Sequence, residues 1–168
     1  MLSLQPPADV APVLVLAIGN PSRGDDALGP LVAQHLAGLA LPGVEVLTDF
    51  QLQVEHALDL LGRSEVVFVD ATTSGEAPFE LRPLAAVADA SHTSHSLSPP
   101  AVLDAYRRLA GGEPPPARLL AIRGHDFELG APLSHAAQAN LQAALAALAP
   151  RLRRAVARIR EHEQVPAA

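Results

Sequence analysis

The sequence predicts an α/β fold: a single-domain three-layer sandwich. Its twisted, mostly parallel sheet has about five strands, with helices on both faces. Three observations carry this expectation. Val13–Ile18 is an unbroken apolar run closed by Gly19-Asn20-Pro21, the look of a strand buried on both faces in a parallel sheet. Segments of strand and helix periodicity then alternate through residue 70, which argues for right-handed crossovers in a doubly wound sheet. Finally, 168 residues with 49% hydrophobic and 18% charged residues suit one compact domain with a sizeable core.

The elements follow in order. Leu28, Leu31, Val32, Leu36 and Leu39 recur at helical spacing, and Pro42-Gly43 closes that first helix. Val44–Asp49 reads as the second strand. Val54, Ala57, Leu58 and Leu61 mark a second helix ended by Gly62, and Glu65–Asp70 is a third strand ending in a carboxylate. Phe79–Pro83 reads as a short strand, placed at an edge by its proline. Ser98-Pro99-Pro100 has the form of an N-cap followed by proline at the first helical position, opening a helix through Val102, Leu103, Tyr106 and Leu109. Arg118–Arg123 is the fifth strand. From about Ser134 the chain is helical, with Pro150 expected to kink or split it. Residues 1–12 and 163–168 read as loose ends of the one domain 1–168.

Composition narrows the chemistry. The chain has no Cys and no Trp, and all 12 basic residues are Arg. A thiolate metal site, an iron–sulfur cluster, a thiol nucleophile, a Schiff-base lysine and a P-loop lysine are therefore excluded. A net charge of −6 argues against nucleic acid as a partner. No apolar run is long enough to span a membrane, and the first residues lack the basic start of a signal peptide. A cytoplasmic monomer is the expectation.

Sites in doubly wound sheets form at the carboxyl ends of strands. At that edge fall Asp25 and Asp26 in the loop after the first strand, Asp49 closing the second, and Asp70 closing the third. His92 and His95 precede the proline-capped helix. Two carboxylates and an imidazole make a mixed oxygen and nitrogen donor set for a divalent transition metal. Each residue also has a plainer reading. Asp25 and Asp26 suit helix N-caps, Asp70 a turn, and His92 and His95 a solvated loop. His35 falls in the apolar stripe of the first helix, as a packing or edge histidine, while His56 and His162 are expected on solvated helix faces. His125 and His135 flank a loop and stay open between the two readings. The shared edge is what lifts the acidic residues and the histidine segment above those readings.

Five segments in order resemble the hydrogenase maturation proteases, the endopeptidases that trim the C-terminus of the nickel–iron hydrogenase large subunit. They are Ala17–Pro30 (AIGNPSRGDDALGP), Asp49–Glu55 (DFQLQVE), Val66–Ala71 (VVFVDA), Ser91–Leu97 (SHTSHSL) and Ile122–Gly130 (IRGHDFELG). The resemblance implies an aspartic or metal-dependent endopeptidase. Its three metal-binding residues, also the catalytic set, would be Asp26, Asp70 and His95, with His92 competing for the histidine role. Asp25 and Asp49 would support the site or act as base. The implied metal is nickel delivered by the substrate, with another divalent metal possible in the isolated protein. The implied partner is the precursor of the large subunit. The chain departs from the family where Asp26 stands in place of Glu, one CH2 shorter, and where Ala27 stands in place of a frequent Gly. Two other classes stay open at this point: a different metal-dependent peptidase with a resident zinc, and a non-catalytic nickel-sensing assembly protein.

Overall fold

The structure is a computed structural model, and it describes residues 4–88 and 96–165. Five strands form one sheet in the order β2-β1-β3-β5-β4. They are β1 (Val13–Ile18), β2 (Val44–Asp49), β3 (Glu65–Thr72), β4 (Phe79–Leu84) and β5 (Ala117–Arg123). All neighbours pair parallel except β4, which lies antiparallel to β5 at the edge. Its Pro83 is tolerated there because an edge strand has one unpaired side. The helices are α1 (Leu28–Leu39), α2 (His56–Asp59), α3 (Pro99–Ala110) and α4 (His135–Glu163).

Strand alternation builds the three layers. Val13, Val15 and Ala17 of β1 face one side with Val67 and Val69 of β3, and there they meet Leu28, Val32 and Leu36 of α1 and the buried face of α4. Leu14 and Leu16 face the other side with Val66 and Phe68, against Leu60 after α2 and Val102 and Leu103 of α3. Both faces of the central strands are covered, which is why these strands read as continuous apolar runs. Ser98 caps α3 as its sequence suggests, accepting the Ala101 N–H at 3.3 Å.

Three details depart from the sequence expectation. The expected helix over 54–61 condenses to a single helical turn at α2. Its flanks are bonded three residues apart, as in His56 N–H to Gln53 O and Leu61 N–H to Leu58 O, so the apolar residues reach the core through tight turns. Strand β3 runs two residues past Asp70, to Thr72. Pro150 does not split α4, which is one helix from His135 to Glu163. Pro150 and Ala146, whose carbonyl loses its usual partner, both face solvent, so water can satisfy that carbonyl. Leu148 and Leu152 on either side stay anchored in the core.

Close approach of α1 to β1 depends on Gly29. A Cβ there would collide with the Ile18 carbonyl oxygen, a backbone atom that cannot step aside. Gly29→Ala should destabilise the fold by about 1–3 kcal/mol, the usual range for overpacking, and displace the loop between β1 and α1. Urea denaturation checks this; an unchanged midpoint would show that the helix shifts at no cost.

Candidate functional site

The sheet order puts a topological switch between β1 and β3. The chain leaves β1 toward β2 with α1 on one face, and enters β3 after α2 on the other. Crevices at such points are where α/β sheets bind ligands. The pairing of β1 with β3 ends at Ala17 and Val69. Asp70 is thus the first β3 residue beyond β1, while still opposite Ala121 of β5. The loop 19–27 leaves β1 at this same point.

Asp25 and Asp26 share a short 3-10 turn, Gly24–Ala27, and neither side chain caps a helix. Asp26 is half-buried, and its Oδ2 accepts the Asn20 N–H at 2.7 Å, closing the loop on itself. Asp25 is fully buried. Its Oδ1 accepts the Ser134 N–H at 2.8 Å. Its Oδ2 accepts the N–H groups of His125 (2.7 Å) and Asp126 (3.0 Å) and the Ser134 hydroxyl (2.7 Å). Burial pushes the Asp25 carboxyl up, but these donors outweigh it and hold it below the ordinary aspartate value. The Ser134 hydroxyl also accepts the Ala137 N–H and so caps α4. Asp25 therefore clamps the loop after β5 and the start of α4 onto the loop that carries Asp26. Backbone bonds from Gly24 to Ala131, Asp25 to Asp126 and Gly130 to Ser22 complete the seam.

Asp70 is the perturbed group. Burial first, then the negative charge of Asp26, push its carboxyl up to about 7, against a smaller downward pull from the Ala71 N–H. The interaction places the two carboxylates in one electrostatic neighbourhood. Two anions held together in a partly buried crevice are unstable alone and favour a cation or a shared proton.

Asp49 closes β2 beside a cleft of about 330 Å3 lined by Gly19, Pro21, Pro30, Thr48 and Phe50. Its Oδ1 accepts the Phe50 N–H, and His56 Nε2 lies 3.4 Å from its Oδ2. The Gln53 N–H donates to His56 Nδ1 at 2.8 Å, which leaves Nε2 to carry the ring proton toward Asp49. His56 is therefore not on a solvated face: its side chain is only 12% exposed, packed where the chain turns into α2. The sequence hides this because the 54–61 segment is not the regular helix its periodicity suggests. His35 takes the edge rather than the packing position of the two expected for it. It is exposed, one position off the buried stripe of Val32 and Leu36. His125, His135 and His162 are exposed as well.

His92 and His95 lie outside the described residues. Among the described residues no three His, Asp or Glu side chains gather as a metal-holding group. Of the expected set Asp26 and Asp70 are described, and as two carboxylates they could supply oxygen donors to a divalent cation.

Solved structures with the same fold carry related descriptions. The hydrogenase maturating endopeptidase HybD from E. coli superposes with a TM-score of 0.65 at 23% identity, covering 85% of this chain and 93% of that one. The [NiFe] hydrogenase maturation protease HycI from Thermococcus kodakarensis KOD1 gives 0.63 at 25% identity, covering 87% and 95%. An endopeptidase from Escherichia coli gives 0.67 at 23% identity, covering 85% and 93%. No protein-family model matches the chain, and no curated protein sequence does. The resemblance read from the five sequence segments is thus met in three dimensions: the chain has the fold of the hydrogenase maturation endopeptidases.

Proposed function

We propose that this chain is an endopeptidase that removes the C-terminal peptide of a nickel-loaded hydrogenase large-subunit precursor. The observation that carries the reading is the pair Asp26 and Asp70 at the topological switch of this fold, with the Asp26 charge felt at Asp70. Solved structures of like fold are described as maturation proteases, one of them at 25% identity, which supports the same assignment.

In this reading the nickel arrives with the substrate. Asp26, Asp70 and His95 would complete its coordination and so dock the scissile segment. The metal's chemistry would be to polarise the peptide carbonyl or to lower the pKa of a bound water. Two carboxylates and one imidazole, with no thiolate, need not make a tight resident site, and three ligands leave coordination positions open for the substrate. Asp49, held by the Phe50 N–H with His56 beside it, would take or return a proton, or support the site. Asp25 keeps its four donors and serves by holding the loop of Asp26 in place.

The test is to incubate the protein with nickel-loaded and nickel-free precursor of matching large subunits and to follow the subunit's mass. Loss of a C-terminal peptide in the loaded sample alone is expected. Tight binding without mass loss would instead indicate an assembly protein that senses nickel. A metal retained at stoichiometry by the purified protein, with no cleavage of any precursor, would indicate a different metal-dependent peptidase.

A further inference from the structure

The opposite edge of the sheet carries a second polar cavity, of about 380 Å3, with a different charge. It opens at the amino ends of β3 and β5 and the end of β4, far along the strands from Asp70. Glu65, the first residue of β3, is 6% exposed and sits at its floor. Arg151 and Arg158, two turns apart on α4, reach its two carboxylate oxygens at 3.1 and 3.0 Å. One buried carboxylate thus faces two guanidinium groups. A third, Arg118 of β5, lines the same cavity and pairs with no carboxylate among the described residues.

Three guanidinium groups against one carboxylate leave two positive charges in excess, on a chain whose net charge is −6. Arg151 and Arg158 share one carboxylate and Arg118 has none among the described residues, so the cavity offers guanidinium donors that an oxyanion would accept from. Anchoring α4 needs only the Glu65 pairs; it does not explain Arg118.

We propose that this cavity is a second binding site, for a phosphate group. Phosphate carries about −1.5 to −2 charge near pH 7, which matches the excess, and its oxygens suit the forked geometry of arginine. A lone carboxylate would neutralise only half of it. The shared chemistry covers inorganic phosphate and a small phosphate monoester.

The experiment is calorimetric titration and thermal melting of the full chain with inorganic phosphate, glycerol phosphate or acetate, at ionic strength held constant with sodium chloride. Phosphate should bind and raise the melting temperature by mass action, with acetate far weaker. Arg118→Gln and Arg158→Gln should each weaken phosphate binding by about tenfold or more, and Arg153→Gln, on the exposed side of α4, should leave it unchanged. Binding of glycerol phosphate as well would assign a phosphorylated ligand; inorganic phosphate alone would assign the free ion. Two results overturn the proposal: no phosphate-specific binding over acetate, or equal weakening by Arg153→Gln, which would mean diffuse surface charge. Arg158 is more than half exposed, so its variant keeps the test decisive should Arg118→Gln not fold.

Discussion

Asp25→Ala should be the most destabilising single change at the acidic edge. It strips four hydrogen bonds from a fully buried carboxylate and leaves three backbone N–H groups and a hydroxyl without their acceptor. Hydrogen bonds to a charged group contribute about 1.5–3 kcal/mol each, and water entering the gap will recover part of the loss, so a net cost of about 3–5 kcal/mol is expected. For a chain of this length that lowers the melting temperature by roughly 10–15 °C. The effect depends on pH with a definite sign. The folded carboxyl titrates below its ordinary 3.8, so its stabilisation is fully present above that value and is lost as pH falls through the folded pKa. The gap between wild type and Asp25→Ala should therefore be widest near neutrality and shrink in acid. Denaturant titrations at pH 7 and pH 3 measure it. A gap as large in acid as at neutrality would mean that packing, not the charged clamp, sets the cost.

Asp70→Asn should move activity and stability in opposite directions. With burial around it and the Asp26 charge nearby, Asp70 titrates at about 7 in the folded chain against 3.8 in an ordinary aspartate. A carboxyl with a raised folded pKa costs the native state nothing below 3.8. The cost grows between 3.8 and about 7, and it is constant above. A tenfold difference in proton affinity between folded and unfolded chain is about 1.4 kcal/mol, so removing the ionisable group should stabilise the metal-free protein by roughly 2–4 kcal/mol at pH 8 and by less at pH 5. Cleavage of the nickel-loaded precursor should meanwhile fall by at least about 10²–10³-fold, because Asn lacks the charge that the proposed role toward the substrate's metal asks of this position. Asp26→Ala and His95→Ala should lose cleavage to a similar degree with the fold retained, whereas inactivity of His92→Ala with an active His95→Ala would exchange the two histidines. Urea midpoints in chelator at both pH values, set beside the mass assay, check the pair of effects. An Asp70→Asn protein that is no more stable than wild type at pH 8 would remove Asp70 from the strained acidic pair.

Much of this was legible in one dimension. The β-α alternation, the edge placement of the Pro83 strand and the Ser98 cap are local properties, set by side-chain periodicity and by backbone chemistry within a few residues. The carboxyl-edge rule then collected Asp26, Asp49 and Asp70 without any coordinates. The errors lie where local pattern and tertiary demand part. The apolar positions of 54–61 fit a helix, yet the chain satisfies them with tight turns that bury His56 against Asp49. Pro150 signals a break, yet core contacts on both sides hold α4 in one piece.

The sequence by itself determined the layered α/β fold and the sign of the charge at its carboxyl edge, because both follow from composition and short-range order. Only the tertiary structure separated two adjacent aspartates into different tasks. Asp25 turns inward to Ser134, a residue 109 positions away, and Asp26 stays at the crevice where Asp70 feels its charge. No spacing rule links positions so distant. What joins them is the close approach of loops from β1 and β5 at one end of the sheet, where a buried charge must find donors wherever the fold supplies them.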